Sequence, residues 1–101
     1  MIRGTTPTHT FNLPFEVGFI KSGKVTYSQD GEIILTKEIK ECALDGSTIT
    51  IKLTQEETLK FNCTKGYVYI QVRLLTTGGD ALASSLIRVE VDKCLDSEVL
   101  K

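Results

Sequence analysis

Tryptophan is absent from this chain and histidine occurs once, as His9. A lone imidazole excludes a multi-histidine metal site within one subunit, and no partner pattern nearby completes a nucleophilic triad. His9 therefore reads as a surface or strand-edge residue without a catalytic role, and no cofactor is expected. The three cysteines, Cys42, Cys63 and Cys94, are odd in number, widely spaced and never in a C-x-x-C pair. Neither a disulfide framework nor a zinc ribbon follows, and reduced, mostly buried thiols are the expectation. No run approaches the roughly 20 apolar residues of a membrane span, and the opening Met1-Ile2-Arg3-Gly4-Thr5-Thr6-Pro7 lacks the apolar centre of a signal peptide. Membrane partners are not expected. Charge of one sign is also missing: 12 basic and 13 acidic side chains leave a net charge of −1. Such a balance creates no long-range field toward phosphate backbones, so nucleic acid is not an expected partner. The closest carboxylates, Glu56 with Glu57, Glu38 with Glu41 and Asp96 with Glu98, fall on a helix cap, a charged strand and a tail. They read as solvated surface, not as a glycosidase pair facing a cleft, and no calcium loop motif appears.

What the chain does have is alternation. From Tyr67 onward Val68, Ile70, Val72 and Leu74 fall on one face and Tyr67, Tyr69, Gln71 and Arg73 on the other, the period of two of a half-buried strand. Gly78-Gly79-Asp80 then supplies a tight turn with positive φ. Ala81, Ala83, Ile87, Val89 and Val91 carry the apolar alternation on the return strand. The turn joins two strands and not a strand to a helix, which argues against a phosphate loop.

Earlier in the chain, residues 8–13 read as a first strand ended by Pro14. Lys21-Ser22-Gly23 reads as a turn, with Val25 and Tyr27 on the strand after it. Asp30-Gly31 marks a hairpin whose return carries Ile33, Ile34 and Leu35. Residues 37–41 lack a clean period and read as a bulged or solvent-facing continuation. Asp45-Gly46 is a further turn, followed by Ile49, Ile51 and Leu53 alternating with Thr48, Thr50 and Lys52. Thr54-Gln55-Glu56-Glu57 has the form of a capping box opening a single helical turn, which suits the corner between two sheets.

About seven short strands, separated by turn signals at intervals of roughly 8 to 15 residues and without a crossover helix, define the fold class. It is all-β: an antiparallel immunoglobulin-like β-sandwich with one short helical turn, and an OB-type or jelly-roll barrel as the alternative. One domain spans residues 1–101, with 1–7 as an extended arm and 95–101 as a tail that is frayed or docks on a neighbour. The face bearing Tyr67, Tyr69, Gln71 and Arg73 is the candidate interaction site, since tyrosine and arginine are enriched at recognition surfaces. The alternative is a second buried layer covered by a neighbouring subunit.

Three segments carry a resemblance: Arg3-Gly4-Thr5-Thr6-Pro7-Thr8-His9-Thr10-Phe11, Leu53-Thr54-Gln55-Glu56-Glu57-Thr58-Leu59-Lys60-Phe61, and Ile70-Gln71-Val72-Arg73-Leu74-Leu75-Thr76 with Ala81-Leu82-Ala83-Ser84. Together they resemble short proteins of phages and prophages of gut Firmicutes. Their layout is similar to the N-terminal immunoglobulin-like domain of phage baseplate upper proteins. The resemblance implies a non-catalytic structural or adaptor protein of the tail or baseplate module. It would be made in the host cytoplasm and incorporated in the virion, docking on other phage structural proteins or forming a homo-oligomer. The chain ends near residue 101 without a coiled coil or receptor-binding region, so the expectation is the docking module alone. Two other classes stand beside it. One is a phage accessory protein that inhibits a host defence enzyme or sequesters a small signalling molecule, which needs a pocket. The other is a carbohydrate-binding module, for which the absent tryptophan leaves a poor stacking platform.

Overall fold

Runs of β-branched and aromatic residues become eight strands in the computed structural model, which describes residues 1–62, 67–84, 86–92 and 99–100. They are β1 (Thr8–Asn12), β2 (Ile20–Gln29), β3 (Glu32–Glu38), β4 (Ala43–Asp45), β5 (Thr48–Lys52), β6 (Tyr67–Thr76), β7 (Ala81–Ala83) and β8 (Ile87–Glu90). One helical turn, α1 (Gln55–Leu59), lies between β5 and β6. All pairings between strands are antiparallel. A three-stranded sheet has the order β1-β5-β4; a five-stranded sheet runs β3-β2-β6-β7, with β8 following β7 along the same edge of β6. The class is the expected one, an antiparallel all-β sandwich, with eight strands where about seven were expected. Residues 1–3 are tied to the end of the last strand. Ile2 bridges Asp92 in parallel, the Arg3 amide donates to the Asp92 carbonyl at 3.1 Å, and the Asp92 amide donates to the Met1 carbonyl at 2.7 Å.

The core is where the two sheets face each other. Ile49, Ile51 and Leu53 come from the side of the small sheet; Val25, Tyr27, Val68, Ile70, Val72 and Leu74 come from the large one, and Phe61 closes the space beside α1. Tyr27 is fully buried, its ring 5.8 Å from that of Phe61 and its hydroxyl oxygen 2.9 Å from Nδ1 of His9 on β1. Of the two readings of His9, surface or strand edge, it is the second that holds: it sits on the edge strand β1, half-buried and pointing inward. Burial, with the N-terminal amino group adding to it, holds its imidazole below the ordinary value of 6.5, and burial pushes the Tyr27 phenol up. The fold therefore takes up a proton at His9 less readily than the unfolded chain does. Stability should be full above pH 6.5 and fall as the pH drops below it. Urea unfolding midpoints between pH 7.5 and 5 should decline in the parent protein and stay flatter in His9→Gln; equal slopes would remove His9 as the cause.

Two turns form as their sequences require. Asp30 and Gly31 both take positive φ, 53° and 80°, the left-handed pair of a two-residue hairpin. In the Gly78-Gly79-Asp80 turn it is Gly79 alone that takes positive φ, 90°. Thr54 caps α1 through a complete capping box.

Four expectations are corrected. Lys21-Ser22-Gly23 is not a turn: β2 runs straight through it from Ile20 to Gln29, opposite β6, with only a register shift between Ile20 and Ser22. Residues 37–41 are a solvent-facing continuation only in part: β3 runs on to Glu38, and then a 3-10 turn over Ile39–Glu41 leaves Lys40 and Glu41 exposed but buries Ile39. Ala81 and Ala83 do not share a face with Ile87 and Val89. Leu82 pairs with core-side Leu74, whereas Ile87 pairs with Ile70, so one extra residue between β7 and β8 inverts the alternation. Glu57, finally, is not solvated. Burial opposes its ionisation, but an ion pair with Lys37, joined by bonds from Thr54, outweighs that and holds its carboxyl below the usual range.

Cys42 is half-buried, while Cys63, Cys94 and the Asp96 and Glu98 pair lie outside the described residues, as does the tail except for Val99 and Leu100. The Leu100 backbone exchanges two hydrogen bonds with the Gln55 side chain, at 2.7 and 3.1 Å.

Candidate functional site

The outer face of the five-stranded sheet is built by the half of the β6 alternation that the core does not use. Tyr67, Tyr69, Gln71 and Arg73 all project to it, because Val68, Ile70, Val72 and Leu74 are committed to the other side. Register extends the face across neighbouring strands. Tyr69 stands opposite Ser28 of β2 and Arg88 of β8, and Ser28 in turn is opposite Ile33 of β3. Gln71 is opposite Thr26, itself opposite Thr36; Arg73 is opposite Lys24 on one side and Ala83 on the other.

Tyr67 is 41% exposed, Tyr69 37% and Ile33 69%, values high for large apolar groups in a sheet. The Arg88 guanidinium sits 4.4 Å from the centre of the Tyr67 ring, close enough for a cation–π contact that fixes both side chains. Gln71 behaves differently from its three companions. Its amide donates to the Ser84 carbonyl at 3.0 Å, beside the bonds that join Ser84 to the Val72 backbone. It pins the irregular step between β7 and β8, so Tyr67, Tyr69 and Arg73 remain as the groups presented outward. In the single chain this face is not a buried second layer.

Three further members of the face escaped the pattern reading. Lys24 and Arg88 were legible as the polar partners in their own alternating strands, but only register shows that they flank Arg73 and Tyr69. Ile33 sits beside a bulge opposite Tyr27 and Ser28, which hides the side on which it emerges.

A groove lies between β2, β6, β7, β4 and the 3-10 turn after β3. The groove measures about 830 Å³, and Gly23, Ile20, Ile39, Leu44, Leu74 and Leu82 are among the residues that line it. Its lining is mixed, with Ile39, Leu74 and Leu82 beside the charged residues Lys24, Glu38, Lys40 and Arg73, several of which also border the outer face. Among the described residues, no three His, Cys, Asp or Glu side chains come together as a metal site, and no helix is long and apolar enough to cross a membrane. Comparison with family models, curated proteins and solved structures yields no match to this chain.

Proposed function

We propose that the chain is a non-catalytic docking module of a phage tail or baseplate, attached to its partners by the outer face of its five-stranded sheet. The observation that carries this reading is the exposure of Tyr67, Tyr69 and Ile33 together on one face of the sheet, beside Arg73 and Arg88. Tyrosines on a strand offer large contact area at small entropic cost, and arginine adds stacking and charge-assisted bonds. The resemblance to short phage proteins supplies the setting: synthesis in the host cytoplasm and incorporation in the virion, beside other structural proteins or a second copy.

The test is association and folding measured on the same samples. Tyr69→Ala and Arg73→Ala should each leave the thermal midpoint nearly unchanged, because both side chains are exposed and surface changes typically stay within about 0.5 kcal/mol. Both should release the protein from purified particles in sedimentation. Particles that retain both variants as firmly as the parent protein remove this face from consideration, and particles that never contain the protein remove the virion role.

One observation favours the accessory-protein reading as a second choice: the 830 Å³ groove has the size of a small-molecule site. Absence from particles together with a small molecule recovered from the purified protein, and lost in Leu82→Asp, selects it.

A further inference from the structure

On its outer face the large sheet sets two like charges directly opposite each other. Lys24 and Arg73 are partners across the β2–β6 ladder, both are exposed, and neither has an ion-pair partner among the described residues. Glu38 stands next to Lys24 in the same row but is already committed. Its carboxylate lies 3.0 Å from the Lys40 ammonium and, capping the 3-10 turn, accepts from the amide of Glu41. Like charges placed directly opposite destabilise a sheet. Among the described residues no acidic side chain forms an ion pair with either member of this pair. Beyond Glu38 the neighbours on this face are uncharged, Ser22 and Thr26 along β2, Gln71 and Leu75 along β6 and Ala83 on the far side of Arg73, and both cations are exposed.

We infer that Lys24 and Arg73 receive a carboxylate from an acidic segment of a partner protein. The Arg73 guanidinium offers a planar fork for bidentate bonds to a carboxylate, and the Lys24 ammonium adds a point charge beside it. Tyr69 lies on the same face four residues away, about 13 Å at the rise of a strand. An extended segment lying along β6 therefore reaches both if it carries an acidic residue and an aromatic or apolar residue four positions apart. The inference rests on the sheet-face reading above and adds the chemistry of the occupant. Charge complementarity also separates that occupant from a second copy joined through the same face, which would bring its own uncompensated cations.

The probe is a hexapeptide with phenylalanine at its first position and glutamates at its fifth and sixth, compared with its glutamine counterpart and with decathymidylate. In NMR titrations the acidic peptide should shift the amides of Lys24, Thr26 and Arg73. Its affinity should fall by about tenfold or more in the double variant Lys24→Thr/Arg73→Thr. The thermal midpoint of that variant should be no lower than the parent's, because it removes a repulsive pair. The inference is overturned by equal binding of the glutamine peptide, by tighter binding of decathymidylate, by undiminished binding to the double variant, or by a lowered midpoint. Sedimentation with particles separates this failure from that of the broader reading. If the double variant stays bound while Tyr69→Ala is released, the acidic occupant falls and the docking face stands; if both stay bound, both fall.

Discussion

Val72→Asp should unfold the domain. Val72 is 3% exposed in the middle of β6, opposite Val25, and the side chains around it belong to the all-apolar core. Lys37, in the same cross-strand row beyond Val25, is already bound to Glu57. A carboxylate there has no partner, and placing an unpaired charge in such surroundings costs several kcal/mol against a total stability of about 5 to 15 kcal/mol. Arg73→Asp, one residue on, places the same carboxylate on the exposed face and should leave the fold intact. Circular dichroism of the two variants checks both at once. A native melting curve for Val72→Asp would mean that the faces of β6 are the reverse of those described.

Gly23→Ala should be the most damaging of the small substitutions. A Cβ at residue 23 would stand 2.6 Å from the Arg73 carbonyl oxygen, 2.7 Å from Leu74 Cδ2 and 2.8 Å from Ile39 Cγ1. The first of these atoms is backbone on the strand paired with β2, so relief requires the two central strands to part. Overpacking of this kind typically costs about 1–3 kcal/mol, and each kcal/mol lowers the melting temperature of a domain of this size by roughly 4–8 °C. Gly18→Ala is the control, since nothing lies within 4 Å of the added methyl group. Equal midpoints for the two variants would show that β2 and β6 are not in the close contact described.

These two glycine and valine positions mark where sequence pattern suffices and where it does not. Val72 was legible because alternation is a local property: successive side chains of a strand leave on opposite sides whatever lies beyond them. For the same reason the sequence determined the two faces of β6, the Asp30-Gly31 hairpin and the capping box at Thr54, each specified within a few residues of chain. It also placed Tyr67, Tyr69 and Arg73 on one surface. Gly23 was misread because glycine serves turns and close approaches alike, and only the strand packed against it tells which. His9 turned inward for a reason equally remote in sequence, the Tyr27 hydroxyl on the opposite sheet. The inverted alternation between β7 and β8 depends on one extra residue held by Gln71 and the Val72 backbone, again a contact between strands. Tertiary structure alone decided that Lys24 faces Arg73 and that Ile33 and Arg88 join the tyrosines, because register between strands is set by pairing across the sheet and bulges shift it.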